Sequence, residues 1–385
     1  MKITNAEVIP VEVPPPRKGG RYWLFIKLTT DEGLIGWGEA YWIPLKITSS
    51  IRILSDMGDT VVGRDPFQIE RIWEELYGSY YGHHPDIART AAISAIEIAC
   101  WDIVGQAAGR PVYDLLGGLY NETLRSYTYL YSREDDDRNK ALMWVDPEYA
   151  AERSVFYVDH GFTAIKVDPI KNEPGKKAPW DLSLENMDNA EAVIRRIRET
   201  VGNRCDIILG THGQMTTASA IRLARRLEPY EPFWFEEPVR PENAHEMGKV
   251  AHATSIPVAS GERLATRWEF ARLLREGAAA IMQPALGRAG GILEGKKIAA
   301  LADVNFAQIA PHLWAGPIEA AASIQLDACC TNFVIQESIE DFTGFYADIL
   351  TEPIRWDNGV ILPPSGPGLG TAINEAFARK HAPDL

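Results

Sequence analysis

Two short runs hold the most reactive chemistry in this sequence: Phe233-Trp-Phe-Glu236-Glu237-Pro238 and Ile256-Pro-Val-Ala-Ser-Gly261-Glu262-Arg263. In each, an apolar, β-favouring segment stops at a carboxylate, and about one helix-plus-loop unit lies between them. Acids ending successive parallel strands would face one cavity, where like charges need a cation; a divalent metal is the economical one. Four more groups end predicted strands: Lys166, His212, His312 and Glu337. Any of these alone reads as an ordinary salt-bridge or core residue. As a set they would crowd six ionisable or metal-binding groups into one mouth, and burying them without a function would be costly. Glu237 is the weaker ligand candidate, because side chains one residue apart on a strand point to opposite faces. Arg263 and Arg288 stand near strand ends and could hold a substrate carboxylate or hydroxyl, and Trp314, with Trp23 or Trp42, would suit an aromatic or glycosidic ligand.

Such a mouth needs strands in parallel, and the chain offers them from about residue 125. Arg125 to Leu130, Ala164 to Val167, Ile207 to Thr211, Phe233 to Glu236, Val258 to Glu262, Ala280 to Gln283, Gln308 to His312 and Phe333 to Glu337 read as strands. Helical patterns at Leu184 to Val201, Thr217 to Leu227, Trp268 to Leu274, Gly291 to Ala302 and Pro317 to Leu326 fill most gaps, but none follows the last strand. This is an α/β pattern, a modified TIM barrel of (β/α)7β type over residues 125–355. Residues 1–124 read as an α+β layer. Ile3 to Val13, Tyr22 to Thr29 and the run from Leu34 form a meander, followed by a deep helix at Ala91 to Ala107 whose Glu97 and Asp102 are expected to be structural pairs. Residues 356–385 are turn-rich and are expected to return to the first layer. The stretches Tyr131 to Asp146 and Asp168 to Asn186 exceed what barrel loops need and are candidate lids, and the acidic run from Glu134 reads as a solvated loop.

A formal net charge of −14 argues against nucleic acid or an anionic membrane as partner. The four cysteines, Cys100, Cys205, Cys329 and Cys330, show no ligand spacing and read as reduced packing residues, which suits a cytoplasmic protein. No signal-like N-terminus or membrane-length apolar run is evident.

The run Ala95-Ile-Glu-Ile-Ala-Cys-Trp-Asp-Ile-Val-Gly-Gln, Pro111-Val-Tyr-Asp-Leu-Leu-Gly-Gly, Phe235-Glu-Glu-Pro, Ser260-Gly-Glu, Gly290-Gly-Ile-Leu-Glu, Pro311-His with Gly316-Pro-Ile, and Pro367-Gly-Leu-Gly together resemble the enolase superfamily, mandelate racemase subgroup, over essentially the whole chain. The resemblance implies an N-terminal capping domain completed by the C-terminal tail, Mg2+ at the barrel mouth, an acid-sugar substrate and a homo-oligomer. It also implies Glu236 and Glu262 as metal ligands, Lys166 and His312 as base or acid, and a protonated Glu337 donating to the substrate carboxylate. The chemistry would be removal of the proton alpha to a carboxylate, with the resulting ene-diolate held by a cation and preplaced donors.

Two positions depart from the family pattern. The Asp ligand expected at the end of the third strand is replaced by Gly210, which leaves His212 as a ligand, favouring Mn2+ or another divalent ion, as the acid for a leaving group, or as a purely structural residue. The Asp that partners the His of the seventh strand is replaced by Ala285, so His312 lacks its usual dyad. The leading expectation is β-elimination to a 2-keto-3-deoxy acid, by a dehydratase or an anhydro-sugar or lactone cycloisomerase. A racemase or epimerase of a 2-hydroxy acid and a non-catalytic sugar-acid-binding relative stand as alternatives.

Overall fold

The computed structural model describes residues 1–41, 46–133, 143–173 and 175–385. Trp42 and the acidic run from Glu134 lie outside the described residues, as does the middle of the first candidate lid.

The chain begins with an antiparallel meander, β1 (Ile3–Glu12), β2 (Tyr22–Thr30) and β3 (Ile35–Ala40), in the order β1-β2-β3. Helices α1 (Ile47–Val61), α2 (Ile69–Gly78) and α3 (Ile87–Ala108) follow. Asp86 caps α3 by accepting from the Arg89 amide, and Gly109 ends it in the left-handed conformation. Fifteen of the 22 residues of α3 are buried, as its apolar circumference requires.

Eight parallel strands then close into a barrel: β4 (Leu124–Tyr129), β5 (Ala164–Val167), β6 (Asp206–Gly210), β7 (Trp234–Glu236), β8 (Val258–Ser260), β9 (Ile281–Met282), β10 (Gln308–Ile309) and β11 (Gln336–Ser338). β11 pairs with β4, and a bridge from Ile309 to Phe333 closes the remaining seam. Long helices cover the first seven connections, two of which, Pro147–Asp159 and Ala244–Ala251, carry clear caps at Asp146 and Asn243 that the periodicity alone had not revealed. Between β11 and residue 355 the described residues form only the short helix Phe345–Asp348, in line with the missing pattern there.

The C-terminal segment is more ordered than its turn-rich composition suggests. β12 (Arg355–Asp357) and β13 (Val360–Leu362) form a hairpin whose second strand pairs antiparallel with the start of β4. Beyond it the Leu369 amide donates to Asp102 of α3, and the helix Glu375–Lys380 lies against β1, with Lys27 paired to Glu375 and Arg379 to Glu7.

The expected pairing of Glu97 and Asp102 needs correction, because their partners are main-chain and indole N–H groups, not cations. Glu97 accepts from the Ile292 and Leu293 amides, at the start of helix Ile292–Val304, and from Trp101 Nε1. Asp102 accepts from the Trp37 and Leu369 amides. Glu39 of β3 accepts from the amides of Gly316, Ile318 and Glu319, at the start of helix Pro317–Ala328. Two acids of the N-terminal layer therefore meet the positive ends of two barrel helices, which docks one layer on the other. All four cysteines are free and buried.

Candidate active site

One buried layer inside the barrel takes a side chain from each strand or its extension: Tyr127, Ala164, Ile208, Trp234, Ala259, Ile281, Ala310 and Ile335. Side chains two residues further along a strand share its face, so the next layer toward the mouth is dictated by the sequence. It consists of Tyr129, Lys166, Gly210, Glu236, Gln283, His312 and Glu337. Only β8 breaks the rhythm. There Gly261, at a φ of 143°, turns the chain so that Glu262 takes the place.

Lys166 is fully buried at the centre of this layer. Its Nζ lies 2.6 Å from Glu236 Oε1 and 3.0 Å from Glu337 Oε1. Burial opposes the ammonium, but the two carboxylates outweigh it and hold its pKa well above the ordinary value. Glu236 Oε2 is occupied in turn by Trp234 Nε1 at 3.1 Å and Gln283 Nε2 at 2.9 Å. Glu337 accepts from the Leu313 amide at 2.9 Å, and burial, partly offset by Lys166, raises it to about 7.

His312 Nε2 stands 3.2 Å from Glu262 Oε2 and 3.8 Å from Glu337 Oε2. Its Nδ1 is buried without a hydrogen-bond partner among the described residues, and Ala285 offers it no acid. Tyr41, just beyond β3, stacks on the ring at 5.7 Å and orients it instead. Burial and the Lys166 charge push the His312 pKa well below its ordinary value, so the ring is neutral.

His212 differs in every respect. Half exposed toward solvent, it sets Nδ1 3.1 Å from Asp168 Oδ2, which also accepts from Gln214 Nε2 at 2.7 Å. Burial disfavours the charged ring, but the Asp168 hydrogen bond and the charges of Glu262 and Asp168 prevail and raise it to about 9. Asp168 and Gln214 are site residues that sequence reasoning missed. The available signal was spacing, since Asp168 lies two residues from Lys166 on the same side of the chain. The second candidate lid runs beside this loop, the Trp180 backbone hydrogen-bonding to the backbone of Gln214 and Thr216.

The remaining predicted residues lie at the margin. Arg263 turns to Glu237, its Nε 2.7 Å from Oε2, and so neutralises the acid that points away from Lys166. Buried Arg288 donates from Nη1 to the Glu262 carbonyl and lies 3.8 Å over the Tyr41 ring. Trp314 stacks on Tyr131 and, with Gly20, Tyr22, Tyr41 and Arg288, lines a cavity of about 270 Å³ between the N-terminal layer and the barrel. Trp23 is not part of a mouth; it is a core residue that packs on Phe345 and Tyr346.

Residues 5–117 match the mandelate racemase / muconate lactonizing enzyme N-terminal domain, and residues 148–377 match the enolase C-terminal domain-like family. The chain belongs to the enolase superfamily, mandelate racemase subgroup. It is 35% identical over 394 residues to D-galactonate dehydratase of Pectobacterium atrosepticum, covering 100% of this chain and 96% of that one. The D-galactonate dehydratase of Verminephrobacter eiseniae is 36% identical over 392 residues, with 100% and 95% covered. Among solved structures, a Labrenzia alexandrii DFL-11 protein assigned to the mandelate racemase/muconate lactonizing enzymes superposes with a TM-score of 0.95 at 47% identity, covering 100% of this chain and 96% of its own. A dehydratase-like protein of Salmonella Typhimurium gives 0.92 at 33% identity, with 100% and 99% covered.

Members of this superfamily generally use Mg2+. The donors in this chain do not fit such an ion. The third strand end offers Gly210, both oxygens of Glu236 are engaged, Glu262 faces His312, and His212 is turned to Asp168. Among the described residues no three His, Cys, Asp or Glu side chains gather as a metal site.

Proposed function

We propose that this protein dehydrates an acid sugar, abstracting the proton alpha to its carboxylate and expelling the β-hydroxyl as water to give a 2-keto-3-deoxy acid. One observation carries the reading: a single mouth holds two imidazoles of opposite character. His312, neutral and enclosed, is suited to accept a proton, and His212, held cationic by Asp168, is suited to give one. In the proposed sequence the Cα–H electron pair forms the ene-diolate as the proton passes to His312. That pair then expels the β-oxygen, which takes a proton from His212, and the enol left behind tautomerises to the ketone. The net change is loss of one water, with no oxidation. Lys166 supplies fixed positive charge beside the developing ene-diolate.

The full-length likeness to D-galactonate dehydratases supports this reaction class. A β-oxygen belonging to a ring ether would give ring opening by the same steps. Racemisation with Lys166 as one of two bases is less well supported, because its ammonium is buried between two carboxylates. The reading carries with it a cytoplasmic homo-oligomer, and the net charge of −14 disfavours nucleic acid or an anionic membrane as partner.

The test is a panel of aldonates, aldarates and anhydro-sugar acids assayed for 2-keto acid. Keto-acid formation from at least one of them is expected. Exchange of the alpha proton for deuterium without any keto product would replace this proposal with the epimerase.

A further inference from the structure

The mouth of this barrel already contains a cation. We infer that the ammonium of Lys166 takes over, between Glu236 and Glu337, the part that a divalent ion generally plays in this superfamily, so that this protein holds these acidic strand ends together with no metal between them. The inference concerns the mouth treated under Proposed function, but its evidence is steric and electrostatic.

A Cβ built on Gly210 would lie 2.6 Å from Lys166 Cε, 2.8 Å from Lys166 Cγ and 2.6 Å from Tyr129 Oη. The room of the missing Asp is thus taken by the lysine stem and the tyrosine, and the loss of one ligand and the placement of the ammonium are a single structural change. Around Nζ the near neighbours are two acids and two aromatic rings. Glu236 and Glu337 provide two carboxylate oxygens, and the rings of Tyr129 and Tyr127 lie 4.8 Å and 5.8 Å away, within cation–π range. A divalent ion on Glu236 would stand beside a fully buried ammonium, where low effective dielectric makes the repulsion severe. The far oxygen of Glu236 is closed off by the Trp234 indole and the Gln283 amide. The positive charge facing substrate would then be one that chelators cannot remove.

Purified protein is titrated with MnCl2 while the free ion is followed by its paramagnetic resonance signal, with Glu236→Gln as the background, and metal content is measured by mass spectrometry after purification in MgCl2. The wild type is expected to retain no stoichiometric metal, to bind no more Mn2+ than Glu236→Gln, and to melt at the same temperature in Mg2+ and in EDTA. The double variant Gly210→Asp with Lys166→Ala, which restores the acid and vacates its room, is expected to gain one Mn2+ per chain. One Mn2+ per wild-type chain, lost in Glu236→Gln, would overturn the inference, as would a folded double variant that binds none. These readouts do not depend on turnover, so a blank dehydration assay would sink the proposed reaction and leave this inference standing.

Discussion

Two sets of buried carboxylates hold this molecule together, and they are equally hidden from water. Glu39, Glu97 and Asp102 of the N-terminal layer are 1%, 2% and 1% exposed, while Glu236, Glu262 and Glu337 of the barrel mouth are 0%, 7% and 2% exposed. Burial therefore cannot tell a structural acid from a functional one. Their partners can. The first set accepts hydrogen bonds from backbone amides and an indole, donors that carry no net charge, and the amides are fixed by the backbone itself. The second set faces an ammonium and an imidazole, side chains that can exchange protons and re-form contacts with a substrate.

If that distinction is right, substitutions in the two regions should fail in opposite ways. His312→Asn should lower kcat/KM about a thousandfold, as loss of a general base does, and barely move the melting temperature. A large fall in melting temperature with a modest loss of activity would make His312 a core residue. Next in size, Glu97→Ala should cost about 3 kcal/mol in urea denaturation, since it leaves one buried and two part-buried N–H donors without an acceptor. The folded fraction should keep its turnover, and a neutral result would erase the contrast between the sets. His212→Asn should slow keto-acid formation about a hundredfold while alpha-proton exchange persists, because in the proposed sequence abstraction at His312 does not need the leaving-group acid. Loss of both together would place His212 in the first step.

The two regions should also differ in how stability responds to pH. Burial outweighs the hydrogen bonds at Glu97 and raises it from 4.5 to about 8, and likewise raises Glu39 to about 7. Between pH 4.5 and 8 the folded chain then keeps protons that the unfolded chain has released, so stability should decline as pH rises through this window and level off above it. Melting curves of the wild type and Glu97→Gln across that range test this, with a shallower slope in the variant. An unchanged slope would mean that the three donors hold Glu97 ionised.

Much of the barrel was legible because strand and helix periods are local. The helices Leu184–Val201 and Thr217–Leu227 coincide with their apolar patterns, and the period of two along each strand selects Lys166, Glu236, His312 and Glu337 as one layer. The helices Pro147–Asp159 and Ala244–Ala251 are not announced by apolar periodicity; their signal is the short-range one of the caps Asp146 and Asn243. The hairpin β12 and β13 was hidden by turn residues that sit in its connection and beyond its end.

The residue types at the mouth, including Gly210 where an acid is expected and Ala285 where a dyad partner is expected, were determined by the sequence alone. What those absences mean was decided by the tertiary structure, through contacts between residues far apart in the chain. Lys166 meets Glu236 and Glu337, His212 meets Asp168, and Tyr41 crosses from the N-terminal layer to stack on His312. A charged side chain takes its protonation state from whatever neighbours folding brings to it, and no reading of spacing along one strand reports what the opposite strands or the capping layer will supply.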